Sequence, residues 1–299
     1  MSRWSFSLAL LPFALVSLPG LAPGQDFSDV EFTVTPVAGP IHVLDSGVGG
    51  NIGVSVGADG VLLVDDQFAP LAGKIRKAVE GLGGGELRFI LNTHYHGDHT
   101  GANPEFGPEA TIIGHENLRK RLMTDQVLSR GTFEALPSEG WPVITFEEGL
   151  SVHFNGEEIR VVHFPHAHTD GDAVVHFTGS NVVHLGDILF AGKFPFVDLE
   201  GGGSVDGYIR ALETVVETMP ADADYIAGHH GPVVGLDAVK ESVAMIRETR
   251  DIVAKHVGEG MDLEAVKAAG LPEKYASYDW AFITTDRWLE TLYRSVAGE

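Results

Sequence analysis

Four metal-ligand side chains crowd into one short run of this chain. His94, His96, Asp98 and His99 stand in Asn92-Thr93-His94-Tyr95-His96-Gly97-Asp98-His99-Thr100, directly after the apolar residues 87–91. Imidazole nitrogen and carboxylate oxygen are the donors that borderline divalent metals accept. Alternate residues of an extended segment point to one side, so His94 and His96 can share one ion. Gly97 marks the point where the chain leaves the strand and turns, which lets Asp98 and His99 reach elsewhere. One motif can thus feed two adjacent metals, and the fold must deliver the remaining ligands to it.

Short apolar segments ending in a polar loop that carries His or Asp recur downstream. His168 opens His168-Thr169-Asp170-Gly171-Asp172 after residues 159–165, Asp187 closes residues 181–187, and His229 and His230 follow residues 224–228. α/β proteins collect site residues along one edge of a sheet in this way.

At these residues the chain resembles the metallo-β-lactamase superfamily, whose pattern is His-x-His-x-Asp-His, then a His, an Asp and a final His on successive loops. All four blocks match in order, over residues 37–232. The resemblance implies an α/β fold, the αββα sandwich of that superfamily, with two sheets face to face and helices outside. It implies that His94, His96 and His168 hold a first metal, that Asp98, His99 and the last His hold a second, and that Asp187 bridges them. Asp65, ending Val61-Leu62-Leu63-Val64, resembles the family's supporting Asp. One departure stands out: the family's last block reads Gly-His-Gly, and this chain has Gly228-His229-His230-Gly231. His229 is preferred because it follows the Gly, with His230 as the alternative.

The other histidines carry less. His153, His163, His166, His176 and His184 sit in or beside strand-like alternation, where ordinary pairing is expected, and His115 stands near a helix start. Residues 47–53 invite comparison with a dinucleotide loop, but that fingerprint's third glycine would fall at Ile52 and no helical pattern follows, so the segment reads as a hairpin turn. Strand patterns fill residues 32–64, 110–113, 143–177, 182–185 and 225–226. Helical spacing covers residues 71–82, 116–123, 208–219, 236–257 and 263–269.

With 299 residues, 44% of them hydrophobic, the chain has enough apolar surface for one sizeable domain. A formal charge of -22 repels nucleic acid and anionic membrane. Cysteine is absent, which excludes disulfides, thiolate ligands and the Cys that some β-lactamases of the superfamily carry. Residues 1–24 have the positive end, short apolar core and small residues of a cleavable signal peptide, so the mature chain is expected to be secreted or periplasmic. Residues 25–257 then form the metallo-β-lactamase-like domain, and residues 258–299 a C-terminal helical extension packed on it. The extension's Tyr278, Trp280, Phe282 and Trp288 are read as core packing, with the lining of a substrate mouth as the alternative.

Two metals about 3.5–4 Å apart can share a bridging water, lower its pKa toward about 7 and present hydroxide to a carbonyl. Asp98 would both ligate and orient that water or accept its proton, making it the catalytic base. The expected activity is an exported dinuclear hydrolase of a small ester, thioester, lactone or lactam. A true β-lactamase and a non-catalytic metal-binding protein are the alternatives. Two divalent ions are expected, zinc by default for a nitrogen-rich site, although iron and manganese accept the same ligands. The expected partner is a small-molecule substrate, with no nucleic acid and no stable membrane association after cleavage; the sequence carries no signal for an oligomeric state.

Overall fold

Period-two alternation divides the strands' side chains between separate cores. In the fully buried strand Gly60–Val64, Leu62 and Val64 join a cluster shared with the second sheet, while Val61 and Leu63 join one with the helix Ala72–Gly81. This computed structural model describes residues 26–129, 131–229 and 233–298. The expected leader, residues 1–24, and His230 lie outside them.

Seven strands make the first sheet, in the order Thr33–Ala38, Ile41–Asp45, Ile52–Gly57, Gly60–Val64, Leu87–Leu91, Thr111–His115 and Ile144–Phe146. Its first four strands pair antiparallel and its last four parallel. The second sheet runs Gly149–Phe154, Glu157–Phe164, Asp172–Phe177, Val182–His184 and Asp224–Ile226, with only its last pairing parallel. Ile41, Leu62, Leu91 and Ile113 of the first sheet meet Ile159, Val161, Val175 and Ile226 of the second in the interior between them. Outside the second sheet lie the helices Val205–Thr218, Leu236–Gly258, Leu263–Ala269 and Thr285–Ala297, whose apolar faces share a core with Val174, Val183 and Tyr225. The layers are therefore helix, sheet, sheet, helix: an αββα sandwich.

Two helix starts depart from apolar spacing for a local reason. The helix expected over residues 208–219 begins at Val205, because the Ser204 hydroxyl accepts a hydrogen bond from Gly207 N at 3.0 Å and caps it. Thr284 caps the terminal helix in the same way, accepting from Arg287 N at 3.3 Å. That helix is anchored by Trp288, Leu289 and Leu292, all at 0% exposure, and burial of a Leu-sized side chain contributes about 1.5–3 kcal/mol. No helix among the described residues is long and apolar enough to cross a membrane.

The parallel strands matter for the site, because their C-terminal ends open on one side. Gly60–Val64 delivers Asp65, Leu87–Leu91 delivers the 94–99 segment, Val182–His184 delivers Asp187, and Asp224–Ile226 delivers His229. Backbone bonds tie these ends across the sandwich: Ala173 N donates to Thr93 O at 2.8 Å, and Asn51 N to Gly228 O at 2.7 Å.

Candidate metal centre

His94 and His96 do not sit on a strand, as simple alternation suggested. The strand ends at Leu91, and the loop that follows turns their rings to one point before a single helical turn, Gly97–Thr100, begins. His94 Nε2 lies 3.0 Å from His96 Nδ1, and His168 Nε2 lies 2.9 Å from the same atom.

The partners of the opposite ring nitrogens identify which atoms face that point. His168 Nδ1 donates to Phe196 O at 2.7 Å, and His96 Nε2 donates to Asp198 Oδ2 at 2.7 Å. The Thr93 hydroxyl gives its one proton to Asp65 Oδ2 at 2.7 Å, so the 3.0 Å contact with His94 must carry the proton of His94 Nδ1. Three imidazole lone pairs therefore converge at about hydrogen-bond distance with no proton between them. Such an arrangement is repulsive without a cation. Burial, followed by the neighbouring His99 charge, holds His94 well below the usual histidine range, and burial lowers His168. Neutral imidazole is the form a metal requires.

A second group forms beside the first. His229 Nε2 is 2.9 Å from Asp98 Oδ2, and His99 Nε2 is 3.7 Å from that oxygen. His99 is fixed by its other nitrogen, Nδ1, which donates to Asp65 Oδ2 at 2.7 Å. Asp65 holds a left-handed backbone, φ 66°, secured by Thr93 N donating to its Oδ1 at 2.7 Å. Asp187 stands between the groups: its Oδ2 is 3.4 Å from His168 Nε2 and 3.3 Å from His229 Nε2, and its Oδ1 is 3.2 Å from His99 Nε2. His99 Nε2 and Asp187 Oδ1 are both buried and make no hydrogen bond among the described residues. Orphaned buried polar atoms facing one point fit a site built for a cation.

Seven side chains, His94, His96, His168 and Asp187 in one group and Asp98, His99 and His229 in the other, could thus hold metal ions. Without an ion the second group is a cluster of charged pairs. Burial disfavours the charged forms, yet Asp187 and Asp98 outweigh it and raise His99 and, to about 9, His229. His99 and His229 in turn hold Asp98 below the usual carboxylate range against its own burial. The loop at residues 47–53, a hairpin turn as its sequence suggested, closes over this group so tightly that a Cβ on Gly50 would lie 2.3 Å from the His99 ring.

The remaining histidines stay outside. His115 caps a helix and stacks on His163 at 3.8 Å, exposed His166 donates from Nδ1 to Gly202 O at 2.9 Å, and buried His184 contacts Asn51 O at 3.1 Å. Asp198 is the residue the sequence did not disclose. Only 1% exposed, it accepts from Tyr95 Oη at 2.6 Å and from His96 Nε2 on the same oxygen, while Gly201 N donates to its other oxygen at 2.9 Å. It orients the His96 ring and fixes which nitrogen is free. Asp198→Ala is expected to weaken metal binding at the first group by about 10–100-fold, with Asp198→Asn losing less because its amide oxygen still accepts. Competition against a chromophoric chelator checks this; unchanged affinity in the alanine variant would remove the orienting role.

The geometry has counterparts in known proteins. The model of the metallo-beta-lactamase superfamily matches residues 45–230. The chain is 27% identical over 183 residues to the 2,4-dinitroanisole O-demethylase subunit alpha of Nocardioides sp., covering 60% of this chain and 52% of that one. It is 30% identical over 142 residues to the hydroxyacylglutathione hydrolase of Gloeobacter violaceus, covering 44% of this chain and 49% of that one. The chain thus spans about half the length of these curated relatives. Among solved structures, the metallo-beta-lactamase from Pontibacter korlensis superposes with a TM-score of 0.61 at 14% identity, over 73% of this chain and 99% of that one, which is a likeness of fold. With more than half its length matched by the family model and its ligand-type residues gathered on one edge of an αββα sandwich, the chain belongs to the metallo-β-lactamase superfamily.

Proposed function

We propose that this protein is an exported dinuclear metal hydrolase acting on a small ester, thioester, lactone or lactam. Asp187 carries the proposal, because its carboxylate reaches both ligand groups: Oδ2 faces His168 of the first and His229 of the second, and Oδ1 faces His99 of the second. A carboxylate so placed suits a shared ligand. With two divalent ions bound, zinc by default, the centre would supply an activated water and a Lewis-acid contact for a carbonyl oxygen.

The chain's own residues do the rest. Asp98, at 22% the most exposed of the carboxylates facing these histidines, is kept ionised by His99 and His229 and can accept the proton of the attacking water. Thr93 and Asp65 fix His99, and Asp198 fixes His96, so ring orientation is set before any ion arrives. Phe190 and Phe196 stack on His229 and His96, with ring centroids 5.3 and 5.7 Å apart, and place apolar surface beside both ligand groups. A hydrolase of hydroxyacylglutathione among the relatives supports the choice of an acyl substrate.

Chain recovered from a periplasmic or secreted fraction should begin at about Gln25 and, after metal reconstitution, carry two ions by elemental analysis while hydrolysing an activated ester. Fewer than one ion per chain would sink the dinuclear proposal, and an exported chain still beginning at Met1 would reject cleavage.

A further inference from the structure

An arc of aromatic rings begins and ends on the candidate ligands. Phe190 stacks on His229, with centroids 5.3 Å apart and planes 6° apart; Trp280 lies 6.0 Å from Phe190 and 6.4 Å from His229. Phe282 follows at 5.6 Å from Trp280, then Phe196 at 5.4 Å from Phe282, and Phe196 stacks on His96 at 5.7 Å. One end thus rests on the second ligand group and the other on the first.

Two of the four rings, Trp280 and Phe282, come from beyond residue 230, where the family match ends. They are not swallowed by the core as Trp288 is: Trp280, Phe282 and Phe196 are half-buried, whereas Trp288 is at 0% exposure. Their placement is nonetheless fixed. Trp280 Nε1 donates to Phe194 O at 2.9 Å, Phe194 N donates to Tyr278 O at 2.9 Å, and Arg287 donates to Phe282 O at 2.8 Å with its guanidinium 4.3 Å above the Phe282 ring. A rigid, partly open aromatic surface beside a polar centre presents area for a flat apolar group without an ordering cost on the protein side.

We propose that Trp280, Phe282 and Phe196, backed by the buried Phe190, form the wall that receives the apolar part of the substrate, and that this part is an aryl group. The inference rests on the hydrolase proposal for its reacting carbonyl and deepens it by naming the substrate class. The C-terminal extension is thereby part of the active site and sets specificity there.

Two measurements test it in the metal-reconstituted full chain. The first compares kcat/KM for phenyl acetate and ethyl acetate in the native protein, Trp280→Leu and Phe282→Leu; intrinsic leaving-group reactivity cancels in the variant-to-native ratio. The aryl-to-alkyl preference should fall by about tenfold or more in each variant, the scale of a lost aromatic contact together with its buried area. The second uses no turnover: phenylacetate titrated into the metal-loaded protein, read by calorimetry, should bind about tenfold more tightly than acetate, and the leucine variants should lose that advantage. Phe282→Leu retains the Trp280–Phe194 bond, so it separates wall from scaffold should Trp280→Leu fail to fold. Equal loss on both esters with unaltered phenylacetate preference would overturn the wall. Phenylacetate preference lost in the variants of a protein that cleaves no ester would uphold the wall and defeat the hydrolase proposal.

Discussion

Asp187→Ala is expected to reduce metal content from two ions per chain to one or none and to lower hydrolysis of an activated ester on the order of 10³-fold or more, since a bridged pair of ions supplies several kcal/mol of barrier lowering. Its carboxylate reaches histidines of both groups. Its oxygens lie 3.2 Å from His99 Nε2, 3.3 Å from His229 Nε2, 3.4 Å from His168 Nε2 and 3.7 Å from His94 Nε2. The loop itself does not depend on the carboxylate: Ile188 N donates to Leu185 O at 3.2 Å, and Tyr208 Oη donates to the Asp187 carbonyl at 2.9 Å. Circular dichroism should therefore show a native-like fold while elemental analysis shows the loss. A variant that keeps two ions would sink the bridging role.

The side chains that gather at the candidate site were readable in the sequence because residues placed at strand ends leave compact marks. His94 through His99 share one hexapeptide, and His168, Asp187 and His229 each follow an apolar run. The fold was readable for a related reason, since the alternation in residues 143–177 and the helical spacing in 236–257 reflect which faces are buried. Asp198 left no such mark. It meets His96 across 102 residues, from a glycine-rich loop whose path is set by Asp198 N donating to His168 O at 2.9 Å and by Gly203 N returning to Asp198 O at 2.8 Å. No local periodicity encodes that crossing. The same holds for Gly50, legible as a turn residue but not as the point where backbone presses on the His99 ring. Trp280 and Trp288 stand eight positions apart with similar apolar neighbours, yet one borders the ligands and the other fills the core; only packing of the terminal helix against Leu236–Gly258 separates them.

His229→Ala is expected to empty the second ligand group and lower hydrolysis by orders of magnitude, whereas His230→Ala should keep both ions and cost about 10–100-fold or less, the range for a residue that only supports a ligand. His229 Nε2 points at Asp98 and Asp187 from 2.9 and 3.3 Å, with its backbone bridged to Gly50 and its ring stacked on Phe190. The chelated protein gives an independent readout. Asp187 and Asp98 raise His229 from 6.5 to about 9 against the effect of its burial, so the stability its cation contributes is fully present below about pH 6.5 and is lost as pH rises through about 9. Chemical denaturation of the metal-free protein across that window should show a pH slope that shrinks in His229→Ala and persists in His230→Ala. Metal titration of both variants decides the assignment, which must be exchanged if His230→Ala is the one that loses the second ion.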